Sequence, residues 1–407
     1  MNRINRPEYL NFLINSRDKQ VIKVVSGIRR CGKSTLMEIY RDWLVQNGVL
    51  ENQIIYINFE DIGFEQLTDY RLLYEHIKKL LLAGKMNYIF LDEIQHVSHF
   101  EKAVDSLFIK KNVDLYITGS NAWFMSGELA TLLTGRYIEL KMLPLSFAEY
   151  NEGLDIYVTG KNLTKMEKYS LYLSESSFPY TLQLSGQYKD IREYLSGLYN
   201  SIMLNDIVAR LKVSDVMMLE SVTRFVFHNI GSLLSTTKIA NTMTSEGRKI
   251  DQKTVEKYLK GLTDSLMVYQ AKRYNIKGKQ YLSTLEKYYI TDIGLRHFLL
   301  GAGNADYGHI LENIVYLELL RRGNEVFVGH ITDGEVDFVT QNADGITYYQ
   351  VAATVLDQNT LQRELTSFSK IKDHHPKILL TLDEIGTGTK ENGVKQLNVL
   401  DWLLAVN

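Results

Sequence analysis

Gly27-Ile28-Arg29-Arg30-Cys31-Gly32-Lys33-Ser34 decides how this chain is read. The octapeptide fits G-x-x-x-x-G-K-[ST], a pattern whose glycines let the backbone turn until its N–H groups converge. The apolar run Val21-Ile22-Lys23-Val24-Val25 enters it as a buried strand, and Ser34 to Val45 leaves it as a helix. A strand–loop–helix junction offers an anion free N–H groups and the positive end of a helix dipole. The anion implied is the phosphate chain of a nucleotide. Gly27, Arg30, Cys31, Gly32, Lys33, Ser34 and Thr35 are the candidate nucleotide-binding residues. Lys33 would bridge the β- and γ-phosphates, and the Ser34 hydroxyl would bind Mg²⁺.

Further short apolar runs follow: Gln53–Phe59, Tyr88–Leu91, Val113–Thr118 and Ile138–Leu140, with a helical stretch at Asp69–Leu82. Such runs between helices predict a parallel sheet covered on both faces. The run from Tyr88 ends in Asp92-Glu93. Asp92 would hold Mg²⁺ through water, and Glu93 would orient the attacking water or accept its proton. Thr118 leads into Gly119-Ser120-Asn121, a polar strand tip where Asn121 or Ser120 could place that water. Arg136, after Gly135 and the Leu-rich stretch Glu128–Leu133, is a candidate for stabilising transition-state charge from a neighbouring subunit. Arg29 and Arg30 compete for that role. Cys31 occupies a free position of the loop and reads as a tolerated small residue; the alternative is a thiol whose pKa the phosphate-binding N–H groups lower, making it a redox sensor.

The chain has 407 residues, enough for several domains, and a formal charge of −2. Cys31 is the single cysteine, which excludes a disulfide scaffold. No apolar run approaches the roughly 20 residues of a membrane span, and no secretory leader is visible, so the expected location is cytoplasmic. The segments read as 1–150, a nucleotide-binding α/β unit; 151–205, helical; 206–300, a helix-turn-helix with a β-hairpin wing; and 301–407, a second α/β unit. The near-neutral charge is uneven. From Asp206 to Leu300 there are 15 Lys and Arg against 9 Asp and Glu, so that segment is basic and the remainder acidic. Lys253, Lys257 and Lys260 fall on the second helix of the pair, and Lys272, Arg273, Lys277 and Lys279 on the wing. These are the candidate DNA-binding residues. A wing used for protein contacts is the alternative.

The chain resembles the AAA-family ATPases with a C-terminal DUF4143 domain. The resemblance runs from Arg6-Pro7-Glu8-Tyr9-Leu10 through the phosphate loop, Tyr88–Gln95, Thr118–Asn121 and Gly135-Arg136-Tyr137. It continues in Leu143–Tyr150, Asp206-Ile207-Val208, Lys287–Leu295 and Leu311–Val315, and departs from the pattern at Ser176-Ser177-Phe178-Pro179. It implies an α/β P-loop NTPase of the AAA+ type, then a helical lid and a winged helix, then a C-terminal α/β domain of restriction-endonuclease-like fold. It favours ATP as the nucleotide, and a homo-oligomer in which a neighbour's arginine completes the site. A nuclease of that fold would use Glu312, Asp337 and Gln350, with a lysine two positions beyond Gln350. That position is Ala352, which can hold neither proton nor positive charge. Lys370 or Lys372 would have to substitute, so cleavage is disfavoured. The function expected is hydrolysis of ATP to ADP and phosphate, coupled to rearrangement and to DNA or protein binding. A slow nucleotide-gated adaptor is the main rival, and an ATP-dependent nuclease the weaker one.

Overall fold

The phosphate-loop sequence lies at one end of a five-stranded parallel sheet in the computed structural model, which describes residues 3–120, 133, 135–158, 160, 162–301, 306–332, 334–390 and 393–405. The strands are β1 (Ile22–Gly27), β2 (Ile54–Asn58), β3 (Asn87–Asp92), β4 (Val113–Ser120) and β5 (Tyr137–Met142), in the order β2-β3-β4-β1-β5. Helices α1 (Pro7–Asn15), α2 (Lys33–Gln46), α3 (Tyr70–Leu80) and α4 (Phe100–Phe108) accompany them. Every residue of β1 and of β3 is buried. That is why these strands read as continuous apolar runs rather than alternating ones.

The two sheet faces differ in chemistry. One is aliphatic: Ile22, Val24, Ile57, Ile89, Leu91, Leu115 and Ile117 pack with Leu73 and Ile77 of α3 and Val104 and Leu107 of α4. The other is aromatic. Phe90 stacks on Tyr116 at 4.9 Å between ring centroids, and Tyr40 of α2 lies 5.2 Å from Tyr116. Beneath the rings, Lys23 of β1 and Asp114 of β4 form an ion pair, both fully buried. The Tyr116 hydroxyl and the Asp18 N–H also donate to Asp114, each at 2.8 Å. Because the strands are parallel, β1, β3 and β4 end at one edge. Gly27 pairs with Ser120, and Asn58 with Asp92.

The chain forms two compact units. The first is Met1–Pro144 with Asp264–Leu266, and the second is Leu145–Thr263 with Met267–Asn407. The second begins with α5 (Phe147–Tyr157), α6 (Lys165–Glu175) and α7 (Tyr188–Ser201). Reciprocal Ser146–Glu149 and Thr164–Glu167 capping boxes start α5 and α6. Next come α8 (Val216–His228), β6 (Leu233–Leu234), α9 (Thr236–Ser245), α10 (Gln252–Asp264) and the hairpin β7 (Val268–Asn275) and β8 (Gln280–Ile290). The remainder is α11 (Ile293–Leu300), α12 (Tyr307–Arg321), β9 (Glu325–Ile331), β10 (Gly334–Asn342), β11 (Gly345–Ala352), α13 (Gln358–Ser369), β12 (Lys377–Thr381), β13 (Gly388–Thr389), β14 (Lys395–Asn398) and α14 (Val399–Leu404).

One nine-stranded sheet, β13-β14-β12-β11-β10-β9-β7-β8-β6, runs through this unit. Arg273–Asn275 pair in parallel with Val328–His330. The segments read from sequence as 206–300 and 301–407 therefore share a sheet, because β7 offers β9 an otherwise unpaired edge. Among the described residues no helix is long and apolar enough to cross a membrane.

Candidate functional site

Gly27 ends β1 where only a glycine fits. A Cβ there would stand 2.5 Å from the Met142 carbonyl oxygen and 2.8 Å from Cys31 Sγ. The loop then turns through left-handed backbone at Arg30 (φ 64°) and Gly32 (φ 104°). Gly32 caps α2 without a side-chain acceptor, so no cap side chain takes up the helix's first N–H groups. Lys33 is buried, and its Nζ lies 3.3 Å from the Gly27 carbonyl, 3.4 Å from that of Ile28 and 3.7 Å from Glu93 Oε1. Ser34 is half-buried on the first turn, while Arg30 and Thr35 are exposed. This donor set fits a phosphate chain: a glycine cradle, uncapped amides and one ammonium at its mouth.

Cys31 agrees with the plainer of its two readings, a tolerated small residue. Its thiol is fully buried, and burial pushes its pKa up, outweighing the Lys33 and Arg6 charges. It is not a lowered-pKa sensor, because the Sγ packs inward against Gly27.

Across the sheet edge, Asp92 is completely buried, and each of its oxygens has a donor. The Tyr56 hydroxyl donates to Oδ2 at 3.0 Å, and the Thr118 hydroxyl donates to Oδ1. Burial and the Asp92 charge push the Tyr56 hydroxyl far above its usual pKa, which keeps it a donor. Thr118 Oγ1 also accepts the Glu93 N–H at 2.9 Å. One hydroxyl thus joins the carboxylate to the next residue, Glu93, whose own backbone is left-handed (φ 55°). Gln95 Nε2 donates to Glu93 Oε2, and among the described residues the buried Gln95 Oε1 has no hydrogen-bond partner. Thr118, Tyr56 and Gln95 escaped the sequence reading. Their signal was faint: each is a polar residue within, or just past, a buried apolar run.

Of the other two expected catalytic positions, only Arg136 is among the described residues. Asn121, the Ser120 side chain and 128–132 fall outside the described residues. Arg136 is half-exposed, pairs loosely with Asp105 at 3.4 Å, and lies over the Phe108 ring at 5.7 Å.

In the second unit, Lys253, Lys257 and Lys260 are all exposed on α10, while Val255, Tyr258, Leu259 and Leu262 are buried. At the hairpin, Lys272, Lys277 and Lys279 are exposed. Arg273 differs. It is half-buried, with Nη2 2.9 Å from His330 Nδ1.

The C-terminal cluster brings Glu312, Asp337 and Gln350 together, but around an unexpected lysine. Lys287 of β8 is buried, with Nζ 2.9 Å from Glu312 and 2.5 Å from Glu335. The Tyr289 hydroxyl donates to Glu312 at 2.5 Å. Asp337 Oδ2 accepts the Val351 N–H at 2.8 Å, and Gln350 Nε2 donates to Glu364 at 2.7 Å. Burial and then the Glu312 charge push the Asp337 carboxyl well up. Burial alone would lower the Lys287 pKa, but Glu312, Asp337 and Glu335 raise it instead. The ammonium is therefore that of Lys287, rather than the Lys370 or Lys372 expected from sequence, because β8 lies in the same sheet as β10. Lys287 already pairs with Glu312 and Glu335, so a divalent cation would have to displace its ammonium to reach them. Among the described residues no group of three or more His, Cys, Asp or Glu is arranged to hold a metal.

Comparison with known proteins gives two family matches. Residues 19–151 match an AAA domain, and residues 166–306 match a domain of unknown function, DUF8612, rather than the DUF4143 domain expected. An uncharacterized protein of Haemophilus influenzae is 41% identical over 402 residues, covering 98% of both chains. One from Methanocaldococcus jannaschii is 31% identical over 370 residues, covering 86% of this chain and 79% of its own. Among solved structures, a Walker-type ATPase of Pyrococcus abyssi aligns with a TM-score of 0.49 and 17% identity, over 73% of this chain and 96% of that one. AMPPCP-bound DnaA from Aquifex aeolicus aligns with a TM-score of 0.33 and 14% identity, over 65% and 89%.

Proposed function

We propose a function for this chain from one premise: it carries an AAA domain over residues 19–151 and belongs to one family with its Haemophilus influenzae relative. It binds ATP with Mg²⁺ at Gly27–Thr35 and hydrolyses it to ADP and phosphate, which drives a rearrangement. The observation that carries this is the meeting of Lys33 and Glu93, 3.7 Å apart beside the buried Asp92. Loop N–H groups and Lys33 hold the phosphate chain, Lys33 exchanging its two weak carbonyl contacts for phosphate oxygens. Ser34 and Asp92 would hold Mg²⁺, which supplies charge neutralisation on the phosphates. Glu93 accepts a proton from the water whose oxygen attacks the terminal phosphorus, and the electrons of the broken P–O bond leave on ADP. Asn121 or Ser120, at the tip of β4, would place that water. Arg136, half-exposed and only loosely paired, reaches the site of a second copy of the chain in a homo-oligomer.

Steady-state hydrolysis tests this. Lys33→Ala should lose nucleotide binding. Glu93→Gln should bind ATP but turn over roughly 10² to 10⁴ times more slowly, the usual worth of a general base. Equal turnover by wild type and Glu93→Gln would sink the hydrolytic reading and leave the nucleotide-gated adaptor.

DNA is the proposed macromolecular partner. The order helix, short strand, two helices and hairpin, with β6 pairing β8 and β8 pairing β7, supports reading 206–300 as a winged helix. Lys253, Lys257 and Lys260 line the exposed side of its second paired helix. If each neutralises one phosphate, replacing all three by Ala should flatten the slope of log affinity against log salt by up to about 2.7. Affinity that does not change with salt would refute phosphate recognition and favour a protein partner. Cleavage forms no part of this proposal, because Ala352 and the pairing of Lys287 leave the cluster without a water-activating lysine.

A further inference from the structure

The geometry points to Arg6 as a positioning residue that presets the phosphate loop; this rests on the proposed nucleotide binding. Arg6 precedes α1 and is buried to within 6% of its surface, far from the usual fate of an arginine. Its Nη1 donates to the Cys31 carbonyl at 2.9 Å. Its Nη2 donates to the carbonyls of Leu143 at 2.9 Å and Pro144 at 3.2 Å. The guanidinium lies over the Tyr9 ring at 4.6 Å, and the Tyr9 hydroxyl accepts the Leu143 N–H at 3.2 Å. One planar fork therefore ties the phosphate loop to the stretch that follows β5. The Tyr9 ring holds the fork in plane.

The consequence follows from peptide geometry. The Cys31 carbonyl and the Gly32 N–H belong to one peptide, and no peptide bond among the described residues is cis. In a trans peptide the C=O and N–H point in opposite directions. Holding the Cys31 oxygen toward Arg6 therefore aims the Gly32 N–H away from Arg6. Gly32 sits in left-handed backbone, a conformation that glycine leaves easily. Without an external anchor, that peptide can flip. Arg6 thus preorganises a donor at the helix start before any phosphate arrives. It need not touch the nucleotide to do so.

Titration of the full-length chain with fluorescent mant-ADP and mant-AMP tests this. Loop N–H groups serve the phosphate chain, so losing the preset should weigh on ADP more than on AMP. Arg6→Ala should weaken mant-ADP about tenfold, equivalent to about 1.4 kcal/mol, and mant-AMP by far less. Low-millimolar guanidinium ion should restore part of the loss. Arg6→Lys should resemble Arg6→Ala, because a point charge lacks the planar fork. It also carries the test if Arg6→Ala does not fold. Binding of mant-ADP within twofold of wild type by either folded variant would overturn the inference. So would an equal loss for both nucleotides, which marks a merely structural arginine. Lys33→Ala, run alongside, separates the two questions. If it binds mant-ADP as well as wild type does, the nucleotide reading itself has failed.

Discussion

Thr118→Val tests the junction between the two carboxylates more sharply than changing either one. The substitution preserves shape and removes one hydroxyl. That hydroxyl is fully buried, donates to Asp92 and accepts the Glu93 N–H at 2.9 Å. A hydrogen bond to a buried charged group contributes about 1.5–3 kcal/mol, and a stranded buried N–H costs about 1–3 kcal/mol. The first unit should therefore lose about 2.5–6 kcal/mol. Asp92 keeps the Tyr56 donor, so its carboxylate does not lose all support. Glu93 loses the acceptor that fixes its left-handed backbone, a strained state for a residue with a Cβ. Its carboxylate should then wander, and turnover should fall about ten- to a hundredfold, with nucleotide affinity changing less. Thr118→Ser restores the hydroxyl and gives up only a methyl group, so its stability cost should stay near 1 kcal/mol. The assays are urea unfolding followed by circular dichroism, and steady-state hydrolysis. If Thr118→Val unfolds with wild type, or Thr118→Ser loses as much as Thr118→Val, the bridge has no energetic weight.

Three further outcomes are expected. Cys31 should react with Ellman's reagent far more slowly in the native chain than in denaturant, and more slowly still with ATP bound; a native rate equal to the denatured one would contradict its burial. Lys287→Met should destabilise the second unit by about 3–5 kcal/mol by leaving carboxylates uncompensated, and Glu312→Gln added to it should recover part of that loss. Urea midpoints for the single and double variants measure both effects. Asp337→Asn should be pH-dependent. The folded carboxyl has a raised pKa, so the wild type loses stability as pH climbs from about 4, the unfolded value, through the folded one. The variant should match wild type in melting temperature near that acid limit and exceed it near neutrality; a difference that is constant with pH would refute the assignment.

What the sequence made legible was local. Gly27, Gly32, Lys33 and Ser34 lie within eight consecutive residues, and the turn and helix start they form follow from backbone geometry that glycine allows. The strand runs were equally readable, since burial on both faces writes itself as consecutive apolar residues. Contacts that depend on sheet order were not. Thr118 meets Asp92 because β3 and β4 are neighbours, a pairing that the spacing between them does not encode. Arg6 meets Leu143 and Pro144 across most of the first unit for the same kind of reason.

The lysine of the C-terminal cluster shows the limit most clearly. Reading forward from Ala352, the sequence offered Lys370 and Lys372, which fall at the C-cap of the following helix and just past it. The sheet supplied Lys287 instead, from a strand that precedes Glu312 in the chain. Once β7 had paired with β9, β8 was carried into the sheet that holds Asp337 and Glu335. The lysine that a nuclease motif would require can therefore be missing from its place in the sequence while an ammonium is present in the fold. Presence of the charge is not restoration of the chemistry. Lys287 sits in ion pairs with Glu312 and Glu335, and those carboxylates hold its proton more tightly than water would. A lysine in that state stabilises the charges around it and cannot take a proton from water.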